Sequence, residues 1–284
     1  MGLLSGQRNK EPKYYQSMMN TTLLNYNVYY MNASEKLFYA IAFLLVGGAA
    51  GLIFYGNLFM SDGEPTVVTH ISNAVVFVAG GMIANRIFFP MMTETKCKKR
   101  KMILAKQFRE FLSSMNSSIS SGSNINMAIQ TACEDMENQF GKDAFISVEV
   151  QEMKLGMENN ISLYTTMKNF AERSGIEDIS DFSNVFEICF QKGGDLHKVI
   201  RNCYDMMGNK MIIEEEIQTI MTSNKTQQSV MSVVPIGIIA FLRFSSSSFA
   251  ASFTTPSGVL TMTIAIGIFI AAFKYGRKII DVKG

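Results

Sequence analysis

The sequence is poor in the residues that usually carry chemistry. Its 284 residues include two histidines, His70 and His197, four cysteines, Cys97, Cys133, Cys189 and Cys203, and no tryptophan. Neither histidine has an acid and a nucleophile set beside it, so no acid–base or nucleophilic constellation is legible. The nearest approach to a zinc site, His197 with Cys203, has the spacing of no finger or ribbon. The formal net charge is only +2, too small to point to nucleic acid as a partner. No GxxxxGK[ST] occurs, nor any GxGxxG after a strand, and no alternating β-branched run competes with helical periodicity in the middle of the chain. These absences leave no catalytic residue, cofactor site or metal site to name.

What is present is membrane-like. Leu37 to Phe59 runs without a charge, long enough for the roughly 20 helical residues that cross a bilayer core. A second run, Val67 to Phe89, has an apolar centre, with His70 and Asn73 near its start and Asn85 and Arg86 near its end. Polar groups so placed snorkel to the interfaces. Two shorter blocks, Gln228 to Leu242 and Ser257 to Phe273, are separated by Arg243, the serines 245–248 and Thr254-Thr255-Pro256. Read as four spans, these make two hairpins; buried core helices are the alternative for the short blocks.

Orientation follows from basic residues beside the spans. The connector 60–66 carries Asp62 and Glu64 and no base, whereas the second span is followed by Lys96, Lys98, Lys99, Arg100 and Lys101. Arg8, Lys10, Lys13 and Lys36 before the first span agree, as do Lys274, Arg277, Lys278 and Lys283 after the last. Both termini and the region from Cys97 to Lys225 are therefore expected in the cytoplasm, with the basic clusters explained by topology and anionic lipid. There thiols stay reduced, so the cysteines are expected as packed free thiols and not disulfides. The first apolar run begins too late for a cleaved signal peptide. The tail before it lacks a clean period and is expected as a membrane-lying helix or a flexible arm.

From Cys97 to Lys225 apolar residues step by three and four. Leu104, Phe108, Phe111, Met115 and Ile119 form one stripe. Ile125, Ile129, Ala132 and Met136 follow, then Phe145, Val148 and Met153, then Ile161, Tyr164, Met167 and Phe170. Ile179, Phe182, Phe186 and Phe190 precede Leu196, Val199, Cys203 and Met207. Six helices joined by short turns fit this length. The turns share a grammar: Gly122-Ser123-Asn124, Asn159-Asn160 and Gly193-Gly194-Asp195-Leu196 each set a cap-forming residue before a new stripe. Such side chains accept hydrogen bonds at a helix start, and glycine leaves the previous helix with positive φ. The stretch QKGGDLHKVI is thus a turn between helices; Asp195 would repel a phosphate.

The order of these features resembles the F-domain inner-membrane proteins of type II secretion and of type IV or tight-adherence (Flp) pilus machines. The resemblance is carried by FREFLSSMNSSISSGSNINMAIQ (Phe108 to Gln130), by LGMENNISLYTTMKNFAERSG followed by FQKGGDLHKVI, and by a long polar helix through GNKMIIEEEIQT into a span holding Pro235. It implies a non-enzymatic platform that engages a cytoplasmic hexameric secretion ATPase and helps add pilin subunits to a fibre. Type II secretion and type IV pilus members carry two copies of the domain, whereas one is found here, as in tight-adherence members. The second copy is then expected from a paralogous F-domain protein or from self-association.

The expected architecture is an all-α membrane protein: a tail (1–36), a transmembrane hairpin (37–92), a cytoplasmic six-helix F domain (97–225), a second hairpin (226–273) and a tail (274–284). The F-domain stretch has 15 Lys and Arg against 18 Asp and Glu. Its densest acidic group, Glu214-Glu215-Glu216, is the candidate contact for a basic surface on the ATPase or a second platform subunit, against the plainer reading of a solvated face. Arg86 and Arg243 are expected to snorkel or to pair with polar groups on neighbouring spans. Gly47, Gly48, Gly51, Gly80 and Gly81 are expected as points of close helix packing. The main rival is a transporter permease or channel subunit; against it, the membrane charges lie at span edges and no broken midplane helix is evident. A membrane-anchored receptor is a weaker rival, since no kinase, cyclase or phosphoacceptor pattern is present.

Overall fold

The structure, a computed structural model, describes residues 12–17, 19–61 and 64–281. Arg8, Lys10, Asp62 and Lys283, used above for orientation, lie outside the described residues. Helix dominates, and among the described residues four helices are long and apolar enough to cross a membrane. The chain divides into two compact units, one holding residues up to Tyr30 with Thr93–Ile212, the other Met31–Met92 with Ile213 onward.

In the first unit, the later part of α2 (Val67–Ser120) packs with α3 (Ile125–Phe140), α4 (Phe145–Glu158), α5 (Leu163–Ser174), α6 (Glu177–Lys192) and the start of α7 (Leu196–Ser245). Phe108 lies at the centre of the aromatic core, its ring 5.7 Å from Phe111, 5.9 Å from Phe170 and 5.5 Å from Phe182. Met115, Ile129, Val150, Met167, Phe186, Ile200 and Met207 close around it. Burying each such side chain stabilises the unit by roughly 1.5–3 kcal/mol.

Two stripes need correction. On α4, Val148 is exposed and the inward face is instead Ile146, Glu149, Val150 and Met153. A carboxylate in phase with the core had hidden the helical period. On α6, Phe190 stacks on Phe186 at 5.9 Å yet remains exposed, because it lies in the helix's last turn.

The described part of the tail, from Pro12 on, is neither a membrane-lying helix nor a loose arm. Strand β1 (Tyr14–Gln16) pairs antiparallel with β2 (Thr22–Leu24), with Tyr15 opposite Leu23. The chain after it places Tyr26 in the core, edge-on to Phe145 at 5.8 Å. An extended chain has no internal hydrogen-bond ladder, so its backbone groups take partners from neighbours, Tyr26 N donating to Arg173 O at 3.0 Å.

In the second unit, α1 (Ala33–Tyr55) lies antiparallel to the first part of α2. A Cβ on Gly47 would meet Gly80 O at 2.6 Å and one on Gly80 would meet Gly47 O at 2.5 Å, while Gly48 faces Phe77. These glycines are points of close packing, as their sequence implied. Asn85 Nδ2 donates to Ala40 O at 3.0 Å, further along the same seam. The connection holds the short ladder β3 (Met60–Ser61) with β4 (Glu64–Pro65). Helix α7 continues through Pro235 to Ser245; α8 (Ser247–Ser252) and α9 (Pro256–Asp281) follow. Gln228 Nε2 donates to Phe273 O at 3.3 Å, tying α7 to α9.

Candidate functional site

The turns picked out in the sequence prove to be one motif used three times. Gly122 (φ 93°), Asn160 (φ 59°) and Gly193 (φ 75°) each take the left-handed conformation that ends a helix. In each case the next residue's N–H reaches back five positions: Ser123 to Ser118 O (3.2 Å), Ile161 to Gly156 O (2.8 Å) and Gly194 to Cys189 O (2.9 Å). This pairing satisfies carbonyls left open at the helix end. Asn124 then accepts from Met127 N at 2.9 Å, and Asp195 from Lys198 N at 3.0 Å, starting the next helices ahead of Ile125 and Leu196. Asn159 does not start α5; Ser162 occupies that cap position.

At the glycine pair, both amides are engaged by Cys189 O, and a Cβ on Gly194 would lie 2.8 Å from the Cys189 sulfur. The two glycine amides are therefore spent inside the turn. Nearby, His197 Nε2 and Ser120 Oγ lie 2.8 Å apart. The Asp195 carboxylate is engaged with the backbone of its own helix, accepting from Lys198 N. Among the described residues, no group of three His, Cys, Asp or Glu side chains is arranged to hold a metal ion.

A buried polar cluster, unforeseen in the sequence, joins the tail to the helices. Arg173 grips Glu149 with both ends of its guanidinium, at 2.8 Å and 2.5 Å. The two side chains are 4% and 1% exposed, respectively. Tyr26 Oη donates to the same carboxylate at 3.0 Å, and Thr21 donates to the neighbouring Glu152 at 2.8 Å. Burial pushes the Glu149 carboxyl up, with the hydrogen bonds from Arg173 and Tyr26 pulling it down. Burial and then the Glu149 charge hold the Tyr26 phenol far above its ordinary range, so it stays a donor. Burial opposes the Arg173 charge, but its bond to Glu149 outweighs this and raises its affinity for the proton.

Part of the basic cluster after the second apolar helix also serves the tail. Arg100 is 9% exposed, and its Nη2 donates to Asn25 O, Tyr26 O and Val28 O at 3.1, 3.1 and 2.6 Å. Lys101 bridges Asn27 Oδ1 and Gly175 O at 2.7 and 2.9 Å. Besides any part in topology, Arg100 and Lys101 hold the chain between Asn25 and Val28.

In the second unit, Arg243 donates through both Nη atoms to Ile53 O and Gly56 O at the end of α1. The guanidinium also lies 5.8 Å from the Phe253 ring centre. Of the two readings of Arg243, pairing with a neighbouring helix is the one observed; Arg86 is exposed on α2. Glu214, Glu215 and Glu216 are exposed on α7, which also carries Pro235.

Comparison with known families bears on the helices of the first unit and on the length of α7. Residues 111–244 match the family model of the type II secretion system (T2SS), protein F. Protein F domains occur in the inner-membrane platform proteins of secretion and pilus machines. No curated protein and no solved structure matches the chain.

The protein F match starts inside α2 at the second core phenylalanine, takes in α3 to α6 and ends in α7 next to Arg243. It covers just under half of the chain. The tail, Arg100 and Lys101 lie outside it, although Tyr26 completes the core of the matched helices. The signal that could have found the buried cluster is the phase of α4, where Glu149 falls between the inward-facing Ile146 and Met153.

Proposed function

We propose that this protein is the inner-membrane platform of a pilus assembly or type II-like secretion machine. The protein F match, on helices preceded and followed by segments apolar enough to cross a membrane, carries the reading. In it the apolar helices form two hairpins in the inner membrane, and the six-helix domain and both termini face the cytoplasm. The domain engages a hexameric secretion ATPase, and the chain passes the work of that ATPase to pilin subunits entering a fibre. The task is mechanical and needs no catalytic residue or cofactor of its own.

A single protein F domain implies a second copy in the working assembly, supplied by a paralogue or by another molecule of this chain. This is the arrangement of a tight-adherence pilus machine. Glu214, Glu215 and Glu216 are the proposed acidic contacts for the ATPase or the second platform subunit.

The test is co-purification of the full chain from gently solubilised native membrane, with mass spectrometry of what is retained. Recovery of a secretion ATPase, a second protein F domain or prepilins is the expected outcome. Recovery of a transporter ATPase, with no pilus component even after cross-linking, overturns the platform and favours a permease.

A further inference from the structure

Two of the three glutamates on α7 frame an apolar stripe. A helix turns about 100° per residue, so Ile213, Ile217 and Ile220 fall within about 60° of one another and make a narrow ridge two turns long. Glu214 lies to one side of that ridge and Glu216 to the other, while Glu215 points to the opposite face. Ile213 and Ile220 are 56% and 64% exposed, and Ile217 is half-buried. Beyond Met221 the helix surface turns polar, through Thr222, Ser223, Asn224, Lys225, Thr226, Gln227 and Gln228. The ridge is thus set apart from the apolar block that follows.

We infer that Ile213, Ile217 and Ile220, bordered by Glu214 and Glu216, are a docking ridge for a helix of another protein that carries an apolar stripe with Lys or Arg along its margins. The apolar ridge supplies an i, i+4, i+7 contact line for such a helix. The paired acidic borders select basic margins and fix which way the helix lies. A second copy of the ridge is disfavoured, because it would bring two acid-bordered stripes together. Anionic lipid is disfavoured by the same borders. The inference deepens the proposed contact at Glu214–Glu216 and rests on the platform reading for the partner's role, but not for its chemistry.

The test places the photo-reactive p-benzoylphenylalanine at Ile217 or Ile220 of the full-length chain in its native membrane, with position 215 as the far-face control. The expected result is a cross-link from 217 and 220, not from 215, to a peptide with an apolar stripe and basic margins. Glu214→Lys with Glu216→Lys, on exposed positions that the fold tolerates, should lower its yield about tenfold, and reversing the partner's bases should restore it. Cross-links to a second copy or to lipid, yield indifferent to charge reversal, or no cross-link from either position overturns the ridge. A fitting partner that belongs to no secretion or pilus machine leaves the ridge standing and removes the platform. A co-purified secretion ATPase without a cross-link here does the reverse.

Discussion

Arg173 and Glu149 form a two-pronged ion pair in the interior of the helical unit, at 2.8 and 2.5 Å, with Tyr26 from the N-terminal segment completing it. Such a pair is neutral or slightly unfavourable against a hydrophobic replacement, yet removing one member strands the other's charge out of water. Arg173→Ala should therefore destabilise the unit by about 3–5 kcal/mol. Arg173→Met combined with Glu149→Leu should lose much less. Hydrogen exchange of α4 and α5 amides in the detergent-solubilised full chain reads the difference. Equal losses in the two variants would show that the pair does not act as a unit.

The Tyr26 hydroxyl gives the cluster an alkaline signature. Burial and the Glu149 carboxylate raise its pKa in the folded chain above the ordinary phenol value of about 10. Above that pH the folded chain keeps a proton that the unfolded chain has lost, so rising pH favours unfolding. The contribution is full below pH about 10 and then falls by about 1.4 kcal/mol per pH unit. Tyr26→Phe lacks this titration. It should be less stable than the parent at pH 8, by about 1.5–3 kcal/mol for a hydrogen bond to a charged group, with the gap narrowing by about 1.4 kcal/mol by pH 11. Thermal unfolding of both chains at the two pH values checks this; a gap of constant size would exclude the Tyr26–Glu149 bond as its source.

Gly175 closes the same region from the backbone side. It ends α5 with φ 56°, and an added Cβ would fall 1.8 Å from Asn27 Oδ1 and 2.6 Å from Lys101 Nζ. Gly175→Ala combines left-handed strain of about 1–2 kcal/mol with loss of the Lys101 bridge. It should release the N-terminal segment before the helices melt. The expected observation is faster proteolysis within residues 12–30 at temperatures where α3 to α6 remain protected. Simultaneous loss of both would mean that the segment and the helices unfold as one.

The helices were legible because their core faces are nearly all apolar: Leu104, Phe108, Phe111 and Met115 step along one face without interruption. The turns were legible because glycine at positive φ and a capping Asn or Asp are local needs met by local residues. The buried cluster was harder to read. Glu149 and Arg173 are far apart in sequence, and each looks like ordinary solvated charge until α4 and α5 are packed together. Tyr26 was harder still, since an irregular segment has no period to betray that one side chain enters a core. The acidic borders on α7 were visible as three adjacent glutamates, but their meaning depends on the isoleucines between which Glu214 and Glu216 fall.

Arg243 tests the logic of the second unit most directly. The last carbonyls of a helix have no partner within it, and at the end of α1 the carbonyl of Ile53 and that of the capping Gly56 are taken by one guanidinium from α7. The last turn of α1 holds no basic residue of its own, so a cation from a neighbouring helix supplies the favourable charge at its C-terminal end. Arg243→Met should leave both carbonyls wanting, at about 1–3 kcal/mol each. Arg243→Lys keeps the charge but loses the planar fork that reaches two acceptors at once. Thermal unfolding of the full chain in detergent should rank parent above Arg243→Lys above Arg243→Met. If lysine matches arginine, charge at the helix end is what matters and the two-carbonyl geometry is incidental; if methionine matches both, water or lipid headgroups satisfy those carbonyls without help from α7.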